Sequence, residues 1–233
     1  MKRLVKQTLR HTLPSMLQPV VVASMGRSGS TLVYNALVEG VARARFGLFA
    51  SRLAGVVRDV AWDFSSQPFA NGRIYKTHGF PDGLTAGDRP RVVFLFGSAS
   101  DAARSVLHCD ITYGRAWIEE HFVHLTATGT IKELPKRDVL RFGEQLDAWL
   151  GCEAVPVLAL RYEDLWVSGA DALLSRFAGY PVSLPARRAR ASAASDRGVL
   201  DAQIAETYAP LDQRIAALPA VQMNARAQAL IED

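Results

Sequence analysis

The sequence predicts an α/β protein: a three-layer sandwich with a central parallel sheet flanked by helices. Two observations carry this reading. Short β-branched runs alternate with segments of helical periodicity, and parallel strands need such helical crossovers. Each run also closes on an unusual polar cluster, and ligands of such sheets bind beyond the carboxyl ends of the strands. With 49% hydrophobic and 21% charged residues, a sizeable core is available and disorder is not expected. The 233 residues fit one domain over 1–233.

The elements follow in chain order. Residues 1–18 begin with Lys2, Arg3, Lys6 and Arg10 set among Leu4, Val5, Leu9 and Leu13, which predicts a basic N-terminal helix packed on the domain. Its charged face offers weak peripheral membrane contact. The first strand is Pro19 to Ser24, and its helix runs from Ser30 to about Ala44. Between them lies Gly26-Arg27-Ser28-Gly29-Ser30-Thr31.

A strand, a small-residue loop and a helix start can cradle a phosphate or sulfate. Glycines let the backbone approach the anion, and the first helical N–H groups lack internal partners. Ser30 and Thr31 add hydroxyls, and Arg27 adds a planar charged fork. The loop is not a Walker A sequence, because Gly29 is followed by Ser30 and the loop holds no lysine. A plain Gly-Ser turn between core elements is the competing reading.

A second strand, Arg73 to Thr77, ends at His78-Gly79-Phe80-Pro81. A third, Arg91 to Phe96, leads into Gly97-Ser98-Ala99-Ser100-Asp101 and a helix over Ala102 to His108, with Ser98 or Ser100 as its cap. Val139, Phe142, Leu146, Trp149 and Leu150 predict a helix over Asp138 to Leu150. A fourth strand, Val155 to Leu160, closes on Arg161-Tyr162-Glu163-Asp164-Leu165. A helix over Ala170 to Ala178 and a C-terminal helical segment, 199–233, complete the chain.

Gly47 to Asn71, Asp110 to Lys136 and Val182 to Arg197 show no clear period. The last holds Arg187, Arg188, Arg190 and Arg197, either a mobile basic flap over a polyanion or a solvated loop. The net charge of +4 suits an anionic ligand and equally a solvated basic surface. Two cysteines, Cys109 and Cys152, are too few for a disulfide framework or a metal cluster, so a reduced, cytoplasmic setting is expected. No apolar stretch approaches the ~20 residues that span a bilayer. No nucleic-acid partner is expected.

In order and spacing these clusters resemble the sulfotransferase family that uses 3′-phosphoadenosine-5′-phosphosulfate (PAPS), over roughly Pro19 to Gly198. Gly26 to Thr31 resembles the family's P-loop-like 5′-phosphosulfate loop in its bacterial and carbohydrate-type form. Lys76-Thr77-His78 resembles the segment carrying the catalytic base. Val92 to Phe96 with Asp101 and Ser105 resembles the 3′-phosphate strand and helix, and Arg161 to Leu165 resembles the Tyr-Glu-Asp-Leu segment whose tyrosine lies by adenine.

The resemblance implies sulfuryl transfer from PAPS to a hydroxyl or amine acceptor, a small molecule or carbohydrate, without a metal. Arg27, Ser28, Gly29, Ser30 and Thr31 would hold the 5′-phosphosulfate, Ser105 the 3′-phosphate and Tyr162 the adenine, with Arg197-Gly198 as the late basic-Gly element. Lys76 would sit by the bridging oxygen, and His78 would take the acceptor's proton, with Glu119 or Glu120 as fallback bases.

Two positions depart from the family. Gly97 stands where it places a 3′-phosphate arginine, and Leu32 where many members stack a tryptophan on adenine. Arg197-Gly198 or Arg187 to Arg190 would have to compensate for Gly97. His108, His121 and His124 read as structural, although the i, i+3 spacing of the last two places them on one helix face. No third metal ligand accompanies them.

Gly47 to Asn71 and Asp110 to Lys136 would shape the acceptor pocket, while a core role is expected for most of Phe49, Trp62, Phe64, Tyr113, Trp117 and Phe122. Two alternatives remain open: a P-loop phosphotransferase acting on a small molecule, and a nucleotide- or polyanion-binding module that has lost activity.

Overall fold

The computed structural model describes residues 15–66, 68–187 and 198–232. Within them a six-stranded sheet runs in the order β2-β3-β1-β4-β5-β6, where β1 is Val20–Ser24, β2 Arg58–Val60, β3 Ile74–Lys76, β4 Arg91–Phe96, β5 Val157–Arg161 and β6 Val221–Met223. The helices are α1 (Ser30–Phe46), α2 (Ala50–Val57), α3 (Ala99–Tyr113), α4 (Arg115–His124), α5 (Phe142–Leu150), α6 (Ala170–Ala178), α7 (Val199–Ala217) and α8 (Ala225–Glu232).

The central strands bury both faces, and the period of two along each strand sorts their side chains into two cores. Val20, Val22, Ile74, Val93, Leu95, Leu158 and Leu160 pack with α1, α6 and α8. Val21, Ala23, Tyr75, Val92, Phe94, Phe96 and Ala159 pack with α3, α4, α5 and α7. The expected three layers are therefore present.

The sheet is mixed rather than wholly parallel. β6 pairs antiparallel with β5, Leu158 opposite Met223 and Leu160 opposite Val221. Arg161, at the end of β5, explains the reversal. Its Nη1 donates to the carbonyls of Ile215, Ala216 and Leu218 at 3.0–3.2 Å, and its backbone N–H donates to Ala220. Those bonds hold the exit of α7 at the carboxyl end of β5, so the chain can only run back along the strand. The C-terminal segment is thus two helices with an edge strand between them.

Other boundaries moved. α3 starts at Ala99 and not at 102, because the Ser98 hydroxyl caps it by accepting from the Asp101 N–H at 3.2 Å. α5 starts at Phe142, after a left-handed Arg141 at φ 59°. Of the expected N-terminal helix, residues 15–18 are irregular, and 1–14 lie outside the described residues. So do Arg188, Arg190 and Arg197.

No described helix is long and apolar enough to cross a membrane. Cys109 and Cys152 are both free and buried.

Candidate functional site

The chain leaves β1 toward β3 and β2 on one side, then returns past it to β4 on the other. The loop after β1 therefore sits where the strand order reverses, the place where α/β sheets open a crevice. A cleft of about 520 Å³ lies there, lined by the loop, the end of β3, α3, α4 and Tyr162.

The loop's conformation requires its small residues. Gly26, Arg27 and Gly29 all have positive φ, at 86°, 52° and 83°. At Gly29 a side chain is doubly excluded, since a Cβ would lie 2.2 Å from Cδ2 of the Tyr162 ring. The Ser28 hydroxyl donates to the Leu95 carbonyl at 2.9 Å and fastens the loop to the end of β4. Among the described residues, the backbone amides of Arg27 through Thr31 have no hydrogen-bond partner. These are the donors that an anion could satisfy.

Two cations flank them. Arg27 is exposed and aimed by Ser105, whose hydroxyl accepts from Nε at 2.9 Å, and its guanidinium lies 5.8 Å from the Trp117 ring centre. Lys76 Nζ donates to the Thr31 hydroxyl at 2.7 Å. Burial and the nearby Arg27 lower the Lys76 pKa from its usual value.

His78 lies against the strand end before the loop. Its Nδ1 is 3.0 Å from the Ser24 hydroxyl and 3.3 Å from the Ser24 carbonyl. A carbonyl only accepts, so it favours the tautomer with the proton on Nδ1 and the lone pair on Nε2. Gln145 donates to the His78 carbonyl at 2.7 Å and Trp149 to the Gly79 carbonyl at 3.0 Å, so α5 clamps this backbone. Burial, then the charge of Lys76, push the His78 pKa down to about 3. The imidazole is neutral at physiological pH.

The structure brings together Arg27, Gly29, Ser30, Thr31, Lys76, His78, Ser105 and Tyr162 on one cleft. Gly198 instead begins α7, away from this lining. Of the two fallback bases, Glu120 faces the cleft, whereas Glu119 pairs with Arg115 outside it at 3.0 Å. A second groove, of about 940 Å³, shares Thr31, Leu32 and Tyr162 with the first and runs along α1 to Ala186.

The opposite wall comes from the two segments expected to shape an acceptor pocket and from α3, but the sequence reading took its histidines as structural. His108, Trp117, His121, His124 and Trp62 all line the cleft, so the three histidines read as structural face it. Trp62 is 41% exposed and stacked on His124 at 3.9 Å. Of the aromatics expected in the core, Phe64 and Phe122 are buried there, while Phe49 and Tyr113 are more than half exposed. A helical signal did exist: Ile118, His121, Phe122 and Leu125 share a face at helical spacing and are all buried. A histidine among the four hides that face from a hydropathy count.

At Gly97, where the resemblance expects a 3′-phosphate arginine, the space is taken by Glu163, whereas Ser105 stays on the cleft. A Cβ on Gly97 would lie 2.9 Å from both oxygens of the Glu163 carboxylate. The first amides of α3 already have anions: Ser98 donates to Glu163 at 3.2 Å, and Ala99 and Ser100 donate to Asp212 at 2.5 and 3.3 Å. Asp164, by contrast, orients its own strand end through Arg161 at 2.5 Å.

Among the described residues no group of three His, Cys, Asp or Glu side chains is placed to hold a metal ion. The chain matches no protein-family model, and a search of curated proteins gave no match.

Proposed function

We propose that the protein is a sulfotransferase, moving a sulfuryl group from a nucleoside 5′-phosphosulfate to a hydroxyl or amine acceptor. What carries this reading is the convergence on one cleft of Arg27, Gly29, Ser30 and Thr31, whose amides have no partner among the described residues, with the cations Arg27 and Lys76 and a neutral imidazole whose Nδ1 is held by Ser24. In-line sulfuryl transfer asks the protein mainly to position partners and stabilise charge, as phosphoryl transfer does.

The loop amides, Arg27 and the Ser30 and Thr31 hydroxyls would hold the 5′-phosphosulfate, taking up the charge left on the phosphate. Lys76 would neutralise the bridging oxygen. The acceptor would enter between Trp62, Trp117 and His78, a ring-lined opening suited to a sugar or aromatic partner.

His78 Nε2 would take the acceptor's proton. In the ligand-free cleft it is a weak base. A bound dianion offsets the charges of Lys76 and Arg27 and so restores part of its basicity. The nucleoside would lie where the two grooves meet, against Tyr162 and Leu32.

The donor fits this site at its 5′ end. Toward a 3′-phosphate the described residues offer Ser105 on the cleft, while Glu163 and Asp212 occupy the first amides of α3. That observation favours a second reading: a module that binds a 5′-anionic nucleotide without transferring a group.

Incubating the full chain with PAPS or adenosine 5′-phosphosulfate and a panel of sugars, phenols and amines separates the two. Sulfated product is expected with wild type and lost in His78→Ala, while nucleotide binding persists. Binding without product for any acceptor leaves only the second reading. No binding of either nucleotide sinks both.

A further inference from the structure

His121 is the most conspicuous unsatisfied group in the cleft. It is only 6% exposed, and its Nε2 has no hydrogen-bond partner. The ring lies over Trp117 at 4.7 Å and stands edge-on to His78 at 5.5 Å. Nε2 approaches the start of the anion loop, 3.7 Å from where a Cβ on Gly26 would stand. Leaving a buried polar atom unpaired is costly, so a ligand that supplies its partner is favoured at this position.

The surroundings say which kind of ligand. Arg27 comes from the loop, Lys76 and His78 from the end of β3, His108 from α3 and His124 from α4 itself. Glu120 is the single carboxylate on the lining. Burial, with the charges of this cluster, holds His121 well below the ordinary histidine value. The cavity holds the charges of Arg27 and Lys76 beside an imidazole kept neutral first by burial and then by its charged neighbours. A dianion entering it cancels the repulsion that keeps the proton off the ring.

We propose that His121 is a ligand of the anionic group held by the Gly26–Thr31 loop, donating from Nε2, and that anion binding draws a proton from solvent onto this imidazole. The inference takes the location of the anion from the proposed function, but it does not require that any group be transferred. It gives the cleft a preference for dianions over monoanions and makes binding tighter as pH falls from 8 to 6.

Sodium sulfate is the suitable probe, because sulfate does not itself titrate in this range and any proton taken up belongs to the protein. Titration of the full chain at constant ionic strength, followed by thermal shift and by indicator-dye proton uptake, tests the idea. Sulfate affinity should rise about tenfold from pH 8 to 6, the change that linkage gives for an average uptake of about half a proton per anion. His121→Phe, which keeps the stacking on Trp117, should weaken binding about tenfold, as expected for one lost charge-assisted bond, and abolish the uptake.

His121→Gln can still donate, so it should recover affinity without the pH dependence. His124→Phe should leave the uptake in place. Wild-type affinity and proton uptake in a folded His121→Phe would overturn the proposal. So would sulfate binding that does not vary with pH, or no sulfate binding by the wild type. If sulfate binds with uptake and no acceptor is ever sulfated, the transfer reading fails while this one stands.

Discussion

Helices α1 and α3 start just beyond adjacent strands of one sheet, β1 and β4, and both starts are rich in small residues. Their amides meet opposite fates. Those before and at the start of α1 have no partner among the described residues, and Arg27, Gly29, Ser30 and Thr31 line a cleft that also holds Lys76. Those of α3 are sealed by Glu163 and Asp212, carboxylates from the turn after β5 and from α7. A helix start is therefore an anion site only if the rest of the fold leaves it unfilled. One of these stays open, and the other is capped by the protein's own charge.

The difference can be broken most severely at Gly29. Gly29→Ala meets both a left-handed backbone and the Tyr162 ring, so we expect a stability loss of about 1–3 kcal/mol and loss of nucleotide binding, read by thermal unfolding and calorimetry. Gly97→Ala meets the Glu163 carboxylate and, at 3.2 Å, the Tyr162 Cβ without a left-handed backbone, and should cost less. Equal losses at the two glycines would remove the contrast.

Arg27→Ala comes next. It should weaken nucleotide binding by about 1.5–3 kcal/mol, the range for a charge-assisted contact, and leave the melting temperature unchanged because Arg27 is exposed. Asp212→Asn tests the sealed start. It should cost about 1–2 kcal/mol of stability through the helix cap, and calorimetry should show a gain in preference for adenosine 3′,5′-bisphosphate over adenosine 5′-monophosphate. A sealed start that contributes nothing would leave both quantities where they are. Ser105→Ala should be mildest, releasing the aim of Arg27 for about 0.5–1.5 kcal/mol of nucleotide affinity.

Acid gives a separate handle on the open cleft. His78 and His121 are held below the ordinary histidine value of 6.5, His78 at about 3. Unfolded, both take up protons near 6.5; folded, they do not. Their contribution to stability is therefore complete above about pH 6.5 and is lost as pH falls from there toward 3. Urea unfolding between pH 7.5 and 4.5 should show this slope, and His121→Phe should flatten it.

Much of this contrast was legible in the chain. The loop at Gly26–Thr31, the strands β1, β3, β4 and β5, the cap at Ser98 and the adjacency of Lys76 and His78 to the loop follow from residues close together in sequence, and order along a parallel sheet does the rest. β2 and β6 were not legible. Each is three residues long, and Arg58-Asp59-Val60 and Val221-Gln222-Met223 become strands only by pairing with β3 and β5. α4 itself was not read as a helix because a buried histidine interrupts its apolar face.

By itself, the sequence determined where an anion can meet backbone amides, because glycine and hydroxyl residues dictate local geometry. Only the tertiary structure decided which amides remain open, since Asp212 reaches Ala99 across 113 positions and no local pattern encodes so distant a partner. The charge of the cleft is settled the same way. Lys76, His78 and His121 come from two separate stretches of chain, and burial beside one another and Arg27, a property of none of them singly, lowers their pKa values.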